Sequence, residues 1–372
     1  MKKISVMHIL PSLEVGGMEK GVVNVVNGLD RSRFRPFICC LEKEGALRAN
    51  VKEDVKVFNF NQPPGVRFFL PFWLQGLFRR EKVDIVHTHN FYTSLYGIIA
   101  ARLARVPVVI HGEHGLMLQD RPRRKRIGKI LYNFADVILT VSENLKHMLV
   151  NDGGMRRDKV FAVLNGIDLK KFDMILKQQE MADNEKNNLI IGTVGRLVPV
   201  KDYPTLLKAF SIIHSAFPQA QLIFVGDGPL KGKLQSIRDS LNLKESVRFL
   251  GQREDVHELY RRMRVFVLCS LSEGMSNVIL EAMASRLPVV ATAVGDNPLL
   301  VDNGKTGILV TAEKPQELAQ AIISILADAN KAEEMGKAGY ARVKERFGLE
   351  EMISGYEKVY AHLVGKKGVG RS

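Results

Sequence analysis

Short apolar runs alternate with longer stretches of helical periodicity along nearly the whole chain. Runs rich in Val, Ile, Leu and Phe fall at residues 4–10, 37–41, 55–58, 85–87, 108–110, 137–141 and 160–163. Between them, residues 19–29, 69–81 and 94–104 carry apolar side chains at the spacing that turns one helical face toward a core. Apolar strands separated by helices predict a parallel sheet covered on both faces. Residues 170–188 (KKFDMILKQQEMADNEKNN) turn polar and lose β character, so 171–188 is predicted as a linker. The pattern then restarts, with strands predicted at 189–194, 221–225, 246–250, 265–269, 289–293 and 307–310, and helices at 203–216 and 231–241. A last helix, 349–364, carries Met352, Ile353, Tyr356, Val359, Tyr360 and Leu363 at helical spacing. The prediction is an α/β protein of two Rossmann-like doubly wound domains, 1–170 and 189–348. Open sheets of this kind bind ligands beyond the carboxyl ends of their strands. Two such domains facing across a cleft would bind there.

A chain of 372 residues exceeds the usual single core, which agrees with two domains. A composition 46% hydrophobic and 25% charged is that of a globular protein, with disorder expected only at 365–372. The formal net charge of +14 favours anionic partners: phosphorylated ligands, an anionic membrane face or nucleic acid. No cationic segment interleaves aromatics in a known nucleic-acid motif, so no nucleic acid is expected. Cys39, Cys40 and Cys269 form neither a disulfide framework nor a metal spacing; they fit core filling in a reducing cytoplasm. The opening MKKISVMHIL reads as a buried strand rather than a signal peptide, and no apolar run is long enough to span a bilayer. The expected location is the cytoplasm, peripheral at the inner face of the membrane.

The segment SEGMSNVILEAMA, residues 272–284, carries the most chemistry. Glu273 sits in a Gly- and Ser-rich turn, and Glu281 sits in an apolar run that reads as a helix entering a core. Backbone N–H groups and two acids at one helix entrance suit a diphosphate flanked by hydroxyl-bearing sugars. Gly195-Arg196 follows a predicted strand, with Lys201 shortly after. A guanidinium fork and an ammonium point charge could together neutralise a diphosphate, although both could be ordinary surface cations. Gly226-Asp227-Gly228-Pro229 resembles a loosened dinucleotide fingerprint, but its spacing favours a plain strand-to-helix turn lining a phosphate pocket. Gly16-Gly17 opens a helix, either as a close-approach point for a ligand or as a tight turn.

His111-Gly112-Glu113-His114-Gly115 follows another strand. Its histidine spacing is not that of zinc proteases and no third ligand is evident, so no metal is predicted and a polar contact to substrate is preferred. One histidine of His87-Thr88-His89 is expected to serve packing. Arg121 to Arg126 reads RPRRKR; Arg121, Arg123, Arg124, Lys125 and Arg126 are either solvated loop charge or a patch for an anionic lipid face or diphosphate-bearing acceptor. The stripe VRFFLPFWLQGLFRR, residues 66–80, is expected to pack on its own sheet in preference to a membrane.

Taken in order, GGMEKGVVNVVNGL, DIVHTHN, HGEHG, VSENL, LNGIDLKKF, GTVGRLVPVKDYPTLLKAF, VGDGPLKGKL, FLGQREDV, SEGMSNVILEAMA, LPVVATAVGDNP and GKTGILV resemble glycosyltransferase family 4, the GT-B fold, over essentially the whole chain. The wording of HGEHG and EGMSNVILEAMA is similar to sugar transferases of bacterial exopolysaccharide clusters. The resemblance implies retaining, metal-independent transfer from a UDP- or GDP-linked sugar, with no cofactor, to a glycan or polyprenyl-diphosphate-linked acceptor. It implies that Arg196 and Lys201 hold the donor diphosphate, that Glu273 contacts the sugar near the reacting carbon, and that Glu281 grips the ribose. Amides near Asn277 and Val278 would meet the phosphates, and Gly251 to Arg253 would hold the base. Gly17 and His114 match residues that approach the donor phosphate and sugar, with Gly195 and Gly226 in the flanking turns. The final helix would cross back onto the first domain.

Family members often read G-G-x-P-E where Gly295-Asp296-Asn297-Pro298-Leu299 stands here. Asp296 adds negative charge near the expected phosphate site, and the acid is replaced by Leu299. Two rival readings follow: a non-catalytic nucleotide-sugar-binding subunit or sensor, and another GT-B enzyme such as a nucleotide-sugar epimerase.

Overall fold

The structure, a computed structural model, describes residues 3–62, 67–114, 122–170, 172–174 and 189–368, with the side chains of 122–125 excepted. Residues 171 and 175–188, most of the predicted linker, lie outside the described residues, as do 369–372. The chain divides into two compact units.

The first unit is built on seven parallel strands: β1 (Ile4–Ser12), β2 (Phe34–Lys43), β3 (Lys56–Asn59), β4 (Ile85–His89), β5 (Val108–Glu113), β6 (Val137–Thr140) and β7 (Val160–Ala162). Their order is β3-β2-β1-β4-β5-β6-β7. Helices α1 (Gly17–Gly28), α2 (Leu70–Arg80), α3 (Asn90–Ala104), α4 (Pro122–Asn133) and α5 (Glu143–Asn151) connect them. Alternate residues of β2 feed opposite faces, as strand geometry requires. Phe37, Cys39 and Leu41 join the core shared with α2 and α3, whereas Ile38 and Cys40 join the one shared with α1. Burial pushes the Cys40 thiol up to about 12 and that of Cys39 well above its usual range, so both act as small apolar side chains.

The second unit has six parallel strands: β8 (Ile190–Val194), β9 (Gln221–Val225), β10 (Val247–Phe249), β11 (Val265–Leu268), β12 (Val289–Thr292) and β13 (Gly307–Val310). They run in the order β10-β9-β8-β11-β12-β13. The helices are α6 (Tyr203–Ala216), α7 (Lys231–Ser240), α8 (Val256–Arg262), α9 (Asn277–Ala284), α10 (Asn297–Leu300), α11 (Pro315–Leu326) and α12 (Ala329–Arg346). Leu206, Phe210, Phe224, Val267, Ile322 and Met335 are among the side chains that fill its main core.

The last helix, α13 (Leu349–Lys366), belongs to the first unit. Met352, Tyr356, Tyr360 and Leu363 pack with Val6, Phe34, Ile85 and Ile110. Glu357 accepts a hydrogen bond from the Asp30 amide at 2.7 Å. Two sequence expectations shift. Helix α3 starts at Asn90 rather than 94, because the Asn90 side chain accepts from the Thr93 amide at 3.2 Å and tightens the first turn. Helix α5 was not anticipated, although its signal is present: the Ser142 hydroxyl accepts from the Leu145 amide at 3.0 Å as an N-cap.

Candidate functional site

In the second unit the strand order reverses between β8 and β11, the switch point where open α/β sheets bind ligands. Three turns meet beside it. The Gly195 amide donates to the Val225 carbonyl at 2.9 Å, the Leu197 amide to Asp227 at 3.0 Å and the Gly226 amide to Gly251 at 2.8 Å. Gly226 has a φ of 133° and lies so close to the Gly195 carbonyl that any side chain would collide with it. The Gly195, Gly226 and Gly251 turns thus form one backbone-bonded rim.

Lys201 follows β8, at the end of the short 3-10 turn Pro199–Lys201, and Glu273 follows β11. Across the switch point the Lys201 ammonium donates to the Glu273 carboxylate at 2.5 Å, and the Ser270 hydroxyl donates to the same oxygen at 2.5 Å. Both side chains are largely shielded, 18% and 12% exposed, so water screens the pair far less than a surface ion pair. The Cys269 thiol donates to the Lys201 carbonyl at 3.1 Å, and the Leu271 amide to Val200 at 2.8 Å, which fixes the two turns to each other. Arg196 is exposed and has no ion pair with a described residue.

Helix α9 begins at Asn277, four residues after Glu273. Its N-cap, Ser276, makes no side-chain capping bond, and Asn277 and Val278 are half-buried in the first turn. One turn further on, Glu281 accepts from the Tyr260 hydroxyl at 2.9 Å. Burial, reinforced by that carboxylate, holds the Tyr260 phenol well above its usual range, keeping it a proton donor. After β12, Gly295 (φ 54°) lies against the Glu273 carbonyl with no room for a Cβ. Asp296 is buried at the N-cap of α10 rather than projecting as an exposed charge. Arg253 forks onto Asp255 at 2.8 and 2.6 Å.

The first unit has its own switch point between β1 and β4, and histidines occupy it. His8 on β1 lies beside His87 on β4 in the strand register. The Tyr360 hydroxyl contacts His87 Nδ1 at 2.8 Å and His8 Nε2 at 3.3 Å; His8 Nδ1 meets His89 Nε2 at 2.9 Å, and His89 Nδ1 meets His114 Nε2 at 2.8 Å. Buried His87 Nε2 has no partner among the described residues. Burial, reinforced by neighbouring imidazoles, lowers His8 to about 3 and His87 and His89 well below the usual range. Burial also lowers His114 to about 4, against the opposing pull of Glu113. His8, His87 and His89 offer nitrogen atoms within 4.8 Å of one another, a grouping that could hold a metal ion. Gly17, exposed in the first turn of α1, shares a cavity of about 10 Å³ with His8, His89 and His114, no more than the room for one water.

Residues 15–171 match the family described as Glycosyltransferase Family 4, and residues 175–342 match that described as Glycosyl transferases group 1. The chain is 30% identical over 305 residues to the putative glycosyltransferase EpsF of Bacillus subtilis (strain 168), covering 77% of this chain and 78% of that one. The chain belongs to glycosyltransferase family 4. This transferase is also 26% identical to the UDP-Gal:alpha-D-GlcNAc-diphosphoundecaprenol alpha-1,3-galactosyltransferase of Escherichia coli, over 98% of each chain. In fold it is similar to HepE of Anabaena, solved with UDP and glucose, with a TM-score of 0.83 and 24% identity over 96% of this chain and 100% of that one. Its two Rossmann-like units are those of the GT-B architecture, and it is an enzyme of glycan biosynthesis.

The transferase's basic segment is only partly described. Arg121 and the side chains of Arg123, Arg124 and Lys125 lie outside the described residues, and Arg126 is exposed. Among the described residues no helix is long and apolar enough to cross a membrane. The stripe on α2 departs from expectation. Leu70, Leu74, Leu77 and Phe78 pack on the sheet, whereas Phe68, Phe69, Phe72 and Trp73 face solvent. Sequence reasoning also missed His8, Ser270 and Tyr260. His8 is hidden inside an apolar strand, and only the pairing of β1 with β4 brings it to the other imidazoles.

Proposed function

We propose that the enzyme moves a sugar, with retention at its anomeric carbon and without a metal ion, from a UDP- or GDP-linked donor to a glycan or polyprenyl-diphosphate-linked acceptor in cell-surface polysaccharide synthesis. The observation that carries this reading is the shielded Lys201–Glu273 pair at the switch point, beside the entrance of α9. A diphosphate arriving at the amides of Asn277 and Val278 gives Lys201 a second anionic partner, and Arg196 can fork onto the same oxygens. Negative charge grows on the departing diphosphate as the sugar becomes oxocarbenium-like. Both cations and the helix entrance oppose that charge where it develops. Glu273, steadied by Ser270, faces the positive sugar, and leaving-group oxygens help deprotonate the acceptor hydroxyl. Glu281 clasps the ribose, the Gly251–Arg253 turn holds the base, and Gly17 and His114 approach the phosphate and sugar from the first domain. In this reading residues 189–348 form the donor domain, and 1–170 with 349–364 form the acceptor-side domain. The enzyme works in the cytoplasm, at the inner membrane face.

The names of two similar proteins support the donor and acceptor classes. The E. coli relative is named for UDP-Gal and a diphosphoundecaprenol acceptor, and HepE was solved with UDP and glucose. The test incubates pure protein with UDP- and GDP-sugars and a polyprenyl-diphosphate-linked acceptor, reads the released nucleotide, and assigns the product anomer by NMR. Retention with full activity in EDTA is expected. An inverted product would refute the stereochemical reading. Activity lost to chelation and restored by a metal would move attention to His8, His87 and His89. Failure to turn over any donor, with or without acceptor, would sink the proposal.

A further inference from the structure

Helix α2 carries two apolar stripes where a surface helix needs one. Leu70, Leu74 and Leu77 fill the core, while Phe69, Phe72 and Trp73, at helical spacing, are 70%, 58% and 51% exposed. Neighbouring crossover helices extend the exposed stripe. Ile99 and Leu103 project from α3, and Ile127, Ile130 and Phe134 from α4 and the residue after it. Hydrogen bonds place these elements side by side: Gln75 and Arg79 of α2 donate to the Leu103 carbonyl at 3.2 and 3.1 Å, and Arg102 of α3 donates to the Phe134 carbonyl at 2.8 Å. The result is one face of the first unit lined with large apolar side chains, far more than scattered surface hydrophobics require. A groove of about 550 Å³ opens beside it, lined by Phe60, Phe72, Trp73 and Leu77 with Arg80 at its rim.

The charges that these three helices contribute share one sign. The helices α2, α3 and α4 contain no Asp or Glu, while Arg79, Arg80, Arg102, Arg126 and Lys129 are their cations among the described side chains. Arg80 pairs with Glu81 and Arg102 with Asp136, but among the described residues Arg79 binds only a carbonyl, and Arg126 and Lys129 are exposed. A second copy docked through this face would set cation against cation. An anionic bilayer satisfies both features, taking the aromatic side chains into its interfacial layer and the cations at its phosphates.

We propose that the α2–α3–α4 face docks the enzyme on an anionic lipid surface, with Phe69, Phe72 and Trp73 as inserted anchors. The inference deepens the reading of a lipid-linked acceptor, and its test needs neither donor nor acceptor. Trp73 is the one tryptophan in the chain, so its emission reports on this face alone. With vesicles of equal parts phosphatidylglycerol and phosphatidylcholine, the protein should cosediment and the emission should shift to the blue. Vesicles of phosphatidylcholine alone should bind at least about tenfold more weakly. The double variant Phe69→Ser, Phe72→Ser should lose about tenfold or more in partitioning while its thermal melt is retained, because both side chains are exposed. Trp73→Phe should cosediment within about twofold of the parent. Absence of vesicle binding, binding without a change in emission, or a dimer in light scattering abolished by the double variant would each overturn the proposal. An enzyme that transfers sugar in solution yet ignores vesicles overturns this inference alone; one that binds vesicles and transfers nothing overturns only the proposed reaction.

Discussion

Acid should unfold the first unit well before it reaches ordinary carboxylate chemistry. His8, His87 and His89 are 0%, 0% and 1% exposed and are held neutral by burial, with His8 lowered to about 3. In the unfolded chain each titrates near 6.5. Between these values the unfolded state binds more protons, so stability is complete above about pH 7 and falls as pH drops through the unfolded value. At pH 5 each imidazole lies about 1.5 pH units below its unfolded pKa, which costs about 2 kcal/mol. The three together cost about 6 kcal/mol, against a typical total of about 5–15 kcal/mol. Half-buried His114 adds in the same direction and is left out of the sum. The assay is urea unfolding at pH 7, 6 and 5, followed by Trp73 emission, which reports the first unit. The second unit contains only His214 and His257 and has no such imidazole cluster among its described residues, so far-UV circular dichroism supplies an internal control. His87→Gln should remove about 2 kcal/mol of the pH dependence. A loss below about 2 kcal/mol between pH 7 and 5 in the parent, or a first unit that gains stability in acid, would refute the reasoning.

Arg196→Ala and Lys201→Ala should each lower kcat/KM by about 10²–10³, as expected for groups that oppose charge developing in the transition state, the first with the thermal melt retained and the second with a lowered melt because Glu273 loses its shielded partner; near-parent turnover in the transfer assay would remove their role. Glu281→Ala should weaken donor binding by about tenfold or more in calorimetry and lower the phenol pKa of Tyr260, whose hydroxyl it accepts; unchanged donor affinity would exclude the ribose contact. Gly295→Ala demands a left-handed residue at φ 54° and a Cβ pressed on the Glu273 carbonyl, so it should cost about 1–3 kcal/mol and displace Glu273. A fully active, equally stable variant would show that this turn does not hold Glu273 in place.

The alternation of strand and helix made both doubly wound sheets legible, because strands buried on two faces must be apolar throughout. Glu273, Lys201 and the rim glycines were legible as candidates because charged and small residues in the turns that follow such strands add nothing to the apolar core. Their mutual arrangement was not. The contact between Lys201 and Glu273 depends on β8 lying next to β11 with β9 on its other side, and no local pattern encodes that order. His8 stayed hidden because an imidazole inside an apolar run reads as filler until its strand neighbour is known. The stripe on α2 misled for another reason. Two apolar faces on one helix cannot be told from one broad face by periodicity alone, and only burial separates Leu74 from Trp73.

Helix α13 rejoins the first unit after the whole second unit has intervened. Ribosomal synthesis therefore delivers every strand of the first sheet long before the side chains of Met352, Tyr356 and Tyr360 that complete one side of it. Until they emerge, Val6, Phe34 and Ile85 lack their cover and the imidazole chain lacks its tyrosine, while the second unit can already be finished. The first unit would then mature after the second, with one side of its sheet left open while residues 167–348 are made.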